Sequence, residues 1–173
     1  MYSVTKMIDF CYGHRLLNYE GRCRYLHGHN ARVEIELASE RLDRRGMVRD
    51  FNEIKQAIHT WIDRELDHKM LLNRRDPVLP VLQRLGEPLF VMDDNPTAEA
   101  IARLIFDYTA SQGFPVTMVR LWETQRSVAA YRPTREERRR RALARRARAS
   151  ARDAVPRPAL RDGRGGRSTS TAA

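Results

Sequence analysis

The chain has 173 residues, two cysteines and a formal net charge of +10 at neutral pH. That length suits one domain with a sizeable core, two cysteines make no disulfide framework, and no apolar run is long enough to span a bilayer. The charge is uneven: through Pro133 there are 19 Lys and Arg against 18 Asp and Glu, and from Thr134 onward 13 against 4. A basic domain would point to nucleic acid, but here the basic character belongs to the tail. The amino terminus, Met1-Tyr2-Ser3-Val4-Thr5-Lys6, lacks the basic-then-apolar pattern of a signal peptide, so the expectation is a cytoplasmic protein off the membrane.

In chain order, Val4, Ile8, Phe10 and Tyr12 fall on even positions among polar or small odd ones, which predicts a half-buried strand over 2–12 with His14 at its end. After Cys23-Arg24-Tyr25-Leu26-His27-Gly28-His29, Val33, Ile35 and Leu37 alternate with Arg32, Glu34 and Glu36, a second strand with one wet face. His27 and His29 share the parity of the buried set. Asp50 and Glu53 form a helix-start signal in which each side chain can satisfy a backbone N–H, and Phe51, Ile54, Ile58, Trp61, Ile62 and Leu66 follow at helical spacing, with Asp67-His68 at the end. Residues 73–95, with Pro77, Pro80, Gly86 and Pro88, read as an irregular connection holding at most a short helical turn near 81–85. Asn95-Pro96 opens a second helix with the stripe Ile101, Leu104, Ile105 and Tyr108, and Gly113 ends it. Residues 115–123 and 127–131 read as strands, and Glu123 falls on the face of Thr117, Val119 and Leu121, where a carboxylate should be paired or functional. The order implies an α+β fold: a four-stranded antiparallel sheet with two helices on one face. From Thr134 the apolar periodicity stops, and 134–173 is expected to be an Arg-rich disordered tail beside a folded domain over 1–133.

Two histidines flanking one glycine in an extended segment project to the same side. With His14 they make three imidazoles, and three neutral histidines with an open fourth position is how a protein makes zinc catalytic. Cys23 either faces a substrate or becomes the fourth ligand of a closed structural site. Alternatively, the histidines are hydrogen-bonded core residues without a metal. Asp67-His68 has an equally plain reading as a helix end, where a histidine suits the dipole.

Phe10-x-x-Gly13-His14, Cys23-x-x-x-His27-Gly28-His29-Asn30, Asp50-Phe51, Leu66-Asp67-His68 with Leu72-Asn73, Pro96-Thr97-x-Glu99 and Glu123-Thr124 together resemble the 6-pyruvoyl-tetrahydropterin synthase family over residues 2–132. The three-residue gap between the cysteine and the first histidine resembles its bacterial branch, the 6-carboxy-5,6,7,8-tetrahydropterin synthases of 7-deazaguanine (queuosine) biosynthesis. The resemblance implies the tunnelling fold, a homohexamer built from two trimers with sites between subunits, and a zinc-dependent lyase acting on 7,8-dihydroneopterin triphosphate. It implies His14, His27 and His29 as Zn2+ ligands, Cys23 as catalytic thiolate, and Asp67 with His68 as the proton-passing pair across the substrate. Glu123 would bind the pterin N–H groups, with Thr97 and Glu99 in the same pocket. The expected products are 6-carboxy-tetrahydropterin, acetaldehyde and triphosphate. The alternatives are 6-pyruvoyl-tetrahydropterin synthesis, an aldolase-like side activity, or a non-enzymatic zinc-stabilised module that binds RNA through the tail. Residues 11–13 read Cys-Tyr-Gly where many members carry small residues, residues 73–95 are longer than usual, and the arginine tail, suited to nonspecific polyanion contact, has no counterpart.

Overall fold

The computed structural model describes residues 1–141, 143 and 144. Its organising unit is a long hairpin: β1 (Tyr2–His14) runs antiparallel to β2 (His27–Ser39), in unbroken register from Tyr2 opposite Ser39 to His14 opposite His27. β2 pairs antiparallel with β5 (Val116–Thr124), and β5 with β6 (Ser127–Tyr131). These are the four expected strands.

Two more lie beyond β1, one just after the expected helix end at Asp67-His68 and one inside the 73–95 stretch where an irregular connection was expected. β3 (Lys69–Asn73) pairs parallel with β1, and β4 (Leu89–Met92) parallel with β3, giving a six-stranded sheet in the order β4-β3-β1-β2-β5-β6. The correction has a physical reason. Met-Leu-Leu in β3 and Leu-Phe-Val-Met in the edge strand β4 are apolar runs without alternation, too short to be told from loop residues by period. The proline and glycine signals punctuate a crossover helix, α2 (Leu79–Leu85): Pro80 sits in its first turn and Gly86, at φ 76°, closes it in the left-handed region.

The remaining helical segments cover one face of the sheet. Phe51–Ile54, a π-turn over Lys55–His59 and Thr60–Glu65 run on as α1; α3 is Ala98–Ser111. Ile54, Ile58 and Ile62 of α1 and Ile101, Ile105 and Phe106 of α3 form one core with Ile8, Val33, Ile35, Val119 and Leu121 of the sheet. Trp61 stacks on Tyr108 with centroids 4.0 Å apart and fixes α1 against α3. Asp50 caps α1 as expected, accepting from the Asn52 N–H at 2.8 Å, but Glu53 turns outward to Arg45. Thr97, not Asn95, caps α3, because the Asn95 amide is committed to both backbone groups of Leu17, at 3.0 and 2.8 Å.

The other sheet face is wet. Asp9 and Arg32 stand opposite each other there as an ion pair at 2.7 Å, with the Asp9 carboxyl held below its ordinary range chiefly by that hydrogen bond. At Thr134 a new helical segment starts over 135–141 with 143 and 144, where disorder was expected. Thr134 Oγ1 accepts from the Glu137 N–H and Glu137 accepts from the Thr134 N–H, a reciprocal cap that needs no apolar burial. The rest of the tail lies outside the described residues. Among the described residues no helix is long and apolar enough to cross a membrane.

Candidate active site

The strand register builds the first half of the site. His14 lies opposite His27, and Tyr12 opposite His29, on the face that carries Ile8 and Val33. All three rings therefore converge where the hairpin runs out of core. Gly28, between the two histidines, allows a close approach: a Cβ there would meet the Tyr12 carbonyl oxygen at 3.0 Å, a contact that the backbone would have to move to relieve.

The proton positions follow from the partners. His14 Nδ1 lies 2.7 Å from the Pro96 carbonyl and His27 Nδ1 2.8 Å from the Tyr25 carbonyl. A carbonyl only accepts, so both Nδ1 atoms carry the hydrogen and both Nε2 atoms present lone pairs. Those atoms meet: His14 Nε2 is 3.0 Å from His27 Nε2 and 3.2 Å from His29 Nε2. Zn–N bonds of about 2.0–2.1 Å at tetrahedral angles separate ligand nitrogens by about 3.3 Å, so the donor set fits a zinc ion and the lone pairs would otherwise repel. Burial pushes the His14 imidazole below its ordinary range, against the smaller pull of the Pro96 carbonyl, which keeps it neutral and able to ligate.

Glu123 stands at the rim of this centre, with Oε1 3.9 Å from both His14 Nε2 and His29 Nε2. The Tyr12 hydroxyl donates to that same oxygen at 2.8 Å. Burial, and then the neighbouring Glu123 charge, raise the Tyr12 phenol well above its ordinary range, so it remains a donor. Its ring packs edge-on against His14, 5.2 Å between centroids. Tyr12 read as a core residue from sequence. The signal for its role was its parity with His14 together with that of Glu123 in β5.

Cys23 is half-buried in a short 3-10 turn, Arg22–Arg24, and its carbonyl accepts from the Leu16 N–H at 2.8 Å, which ties the turn to the end of β1. It is not part of the three-nitrogen cluster. Thr97 spends its hydroxyl on the cap of α3, and Glu99 is exposed in the first turn of that helix. They stand one and three positions after Pro96, whose carbonyl holds His14.

Asp67 and His68 belong to the other face. Asp67 Oδ1 accepts from the Cys11 N–H at 2.8 Å, its Oδ2 from His68 Nδ1 at 2.7 Å, and the His68 N–H donates to the Cys11 carbonyl at 2.7 Å. Burial would raise the Asp67 carboxyl, but these donors together outweigh it and hold the group below its ordinary range. His68 sits at φ 54°, a left-handed conformation uncommon outside glycine, which turns the chain from α1 into β3. The pair lines a cavity of about 780 Å³ on the wet face with Asp9, Asn30, Arg32 and Trp122. Within one chain, then, the histidine centre and the Asp67-His68 pair are carried on opposite faces of the sheet.

An α+β protein with a three-imidazole cluster at the end of its longest hairpin carries a candidate metal centre, and the comparisons with known proteins narrow it. The family model of 6-pyruvoyl tetrahydropterin synthase matches residues 3–134. A 6-carboxy-5,6,7,8-tetrahydropterin synthase of Rickettsia typhi is 37% identical over 136 residues, covering 72% of this chain and 96% of the relative. One of the same name from Haemophilus influenzae is 29% identical over 139 residues, covering 76% and 99%. Among solved structures, an uncharacterized protein of Wolinella succinogenes superposes with a TM-score of 0.66 at 28% identity, over 77% of this chain and 98% of that one. The chain belongs to the 6-pyruvoyl tetrahydropterin synthase family.

Proposed function

We propose that the protein is a zinc-dependent 6-carboxy-5,6,7,8-tetrahydropterin synthase of queuosine (7-deazaguanine) biosynthesis, converting 7,8-dihydroneopterin triphosphate to 6-carboxy-tetrahydropterin, acetaldehyde and triphosphate. The observation that carries the reading is the meeting of three Nε2 atoms at 3.0 and 3.2 Å, two of them with their protons committed elsewhere. The names of the curated relatives favour this product over 6-pyruvoyl-tetrahydropterin.

His14, His27 and His29 would hold the zinc, which supplies charge that acidifies substrate hydroxyls and eases enolisation of neighbouring C–H bonds. Cys23, on the same connection as these ligands, acts as the general base. Asp67 fixes the His68 ring through Nδ1 and favours its charged form, so that His68 returns the proton from the far side of the substrate. Glu123 binds the 2-amino and ring N–H groups of the pterin. Thr97 and Glu99 complete the pocket wall, with the Thr97 contribution limited to whatever its capped hydroxyl still accepts.

The placement of the two halves on opposite sheet faces supports sites shared between subunits of a homohexamer, in which a second chain brings its Asp67-His68 pair to the histidine centre. A cytoplasmic location, and an Arg-rich tail over 134–173 dispensable for folding and catalysis, complete the proposal. The test is product identification by mass spectrometry after incubation with 7,8-dihydroneopterin triphosphate, on the full chain and on residues 1–133. Acetaldehyde and 6-carboxy-tetrahydropterin from both are expected; 6-pyruvoyl-tetrahydropterin, or activity lost with the tail, would overturn it.

A further inference from the structure

On the wet face the pair that the reaction above uses is joined by a third ligand-type residue that it does not use, Cys11. Cys11 Sγ, a carboxylate oxygen of Asp67 and a ring nitrogen of His68 all lie within 4.8 Å of one another. The backbone clamps described above hold them there: Asp67 and His68 both bond to the main chain of Cys11, at 2.8 and 2.7 Å. Any residue but proline at position 11 would supply those bonds. The thiol is additional, and within the described residues its hydrogen-bond partner is the Asn30 amide oxygen at 3.1 Å. The cluster is open to solvent, with the His68 side chain 78% exposed, and it lies on the opposite face from His14 by strand parity.

We propose that Cys11, Asp67 and His68 form a second divalent-cation site, selective for zinc or a similarly borderline-soft ion. A thiolate and an imidazole beside one carboxylate suit zinc or cobalt, whereas magnesium and calcium take all-oxygen shells. On binding, the Cys11 thiol loses its proton to solvent, and the metal takes one Asp67 carboxylate oxygen and one His68 ring nitrogen in place of the Nδ1–H···Oδ2 hydrogen bond, with any proton displaced from the ligating nitrogen passing to the other ring nitrogen or to solvent. Given the proton-passing role proposed for Asp67 and His68, on which this consequence rests, zinc beyond the first equivalent takes that pair out of use and slows turnover. The site then acts as a zinc-excess brake whose ligands are distinct from those of the histidine centre that needs the metal.

The test reads binding without turnover, so it stands or falls apart from the enzymatic assignment. The full-length protein loaded with one equivalent of zinc is titrated with cobalt(II), and the thiolate-to-cobalt charge-transfer absorption is followed. A second equivalent that brings up this band is expected, weakened at least about 100-fold in Cys11→Ser and in His68→Ala, by comparison with the smaller cost of losing an outer-shell partner. Cys23→Ser should keep it. In parallel, zinc added beyond one equivalent should inhibit the wild type and cause no further loss in Cys11→Ser. No second equivalent in the wild type, a band unchanged in Cys11→Ser, or a band lost in Cys23→Ser would overturn the proposal.

Discussion

The histidine centre and the Asp67-His68 pair share one strand, three residues apart at His14 and Cys11, yet they are built by different means. The centre is made by side-chain parity: two long strands in fixed register bring His14, His27 and His29 to one face, with Pro96 and Tyr25 carbonyls orienting two of the rings. The pair is made by main-chain bonds, with a helix end folded onto the edge of β1 through the Cys11 N–H and carbonyl. Parity can aim a side chain at only one face of a sheet. On the function proposed above, a site that needs both groups draws the second from another copy, and variants in the two regions should fail differently.

The largest effect is expected on the centre. His27→Ala removes one of three nitrogen ligands, so zinc affinity should fall by more than about 100-fold, with turnover falling to background and folding retained. Elemental analysis that finds unchanged zinc would remove the centre from the account. Cys23→Ala should keep one zinc per chain yet lose about 10²–10⁴ in turnover, the usual contribution of a positioned base. Zinc lost together with activity would instead make Cys23 a ligand of a closed structural site.

A smaller effect is expected at the rim. In Glu123→Gln the amide oxygen can still accept from Tyr12, which leaves the amide N–H₂ facing ligand N–H groups. One unpaired buried donor costs about 1–3 kcal/mol, or roughly ten- to hundredfold in pterin affinity at about 1.4 kcal/mol per decade. Wild-type binding of a pterin by this variant would show that Glu123 serves Tyr12 alone.

The smallest effect is a pH dependence at the pair. The Asp67 carboxyl is held below its ordinary value of 3.8, so its stabilisation is complete above that pH and is lost as pH falls through the lower folded value. The difference in melting temperature between the wild type and Asp67→Asn should be constant near neutrality and shrink only below pH 3.8. A difference that already closes between pH 7 and 5 would mean that the carboxyl is not held in this way.

How much of this was legible in the sequence follows from the same contrast. Alternation in β1, β2 and β5 gives parity, so the convergence of His14, His27 and His29 and the inward aim of Glu123 could be read directly. The linked motifs gave the family. Main-chain bonds leave no side-chain period, and nothing in Leu66-Asp67-His68 announces that its partner is Cys11. Strands β3 and β4 were missed because, at five and four residues, they are too short to show a period, and Asn95 was read as a cap because its amide's engagement with Leu17, far away in sequence, has no local mark. Tyr12, where small residues were expected, turned out to hold Glu123.

The claim that the two halves meet only between chains has a direct test. His27→Ala and Asp67→Asn proteins, each inactive alone, are co-expressed and the mixed oligomers assayed for turnover and zinc. Shared sites predict recovered turnover, because some interfaces then pair an intact histidine centre with an intact Asp67-His68 pair from another chain. Mixed oligomers that form, bind zinc and remain as inactive as either parent would contradict the account.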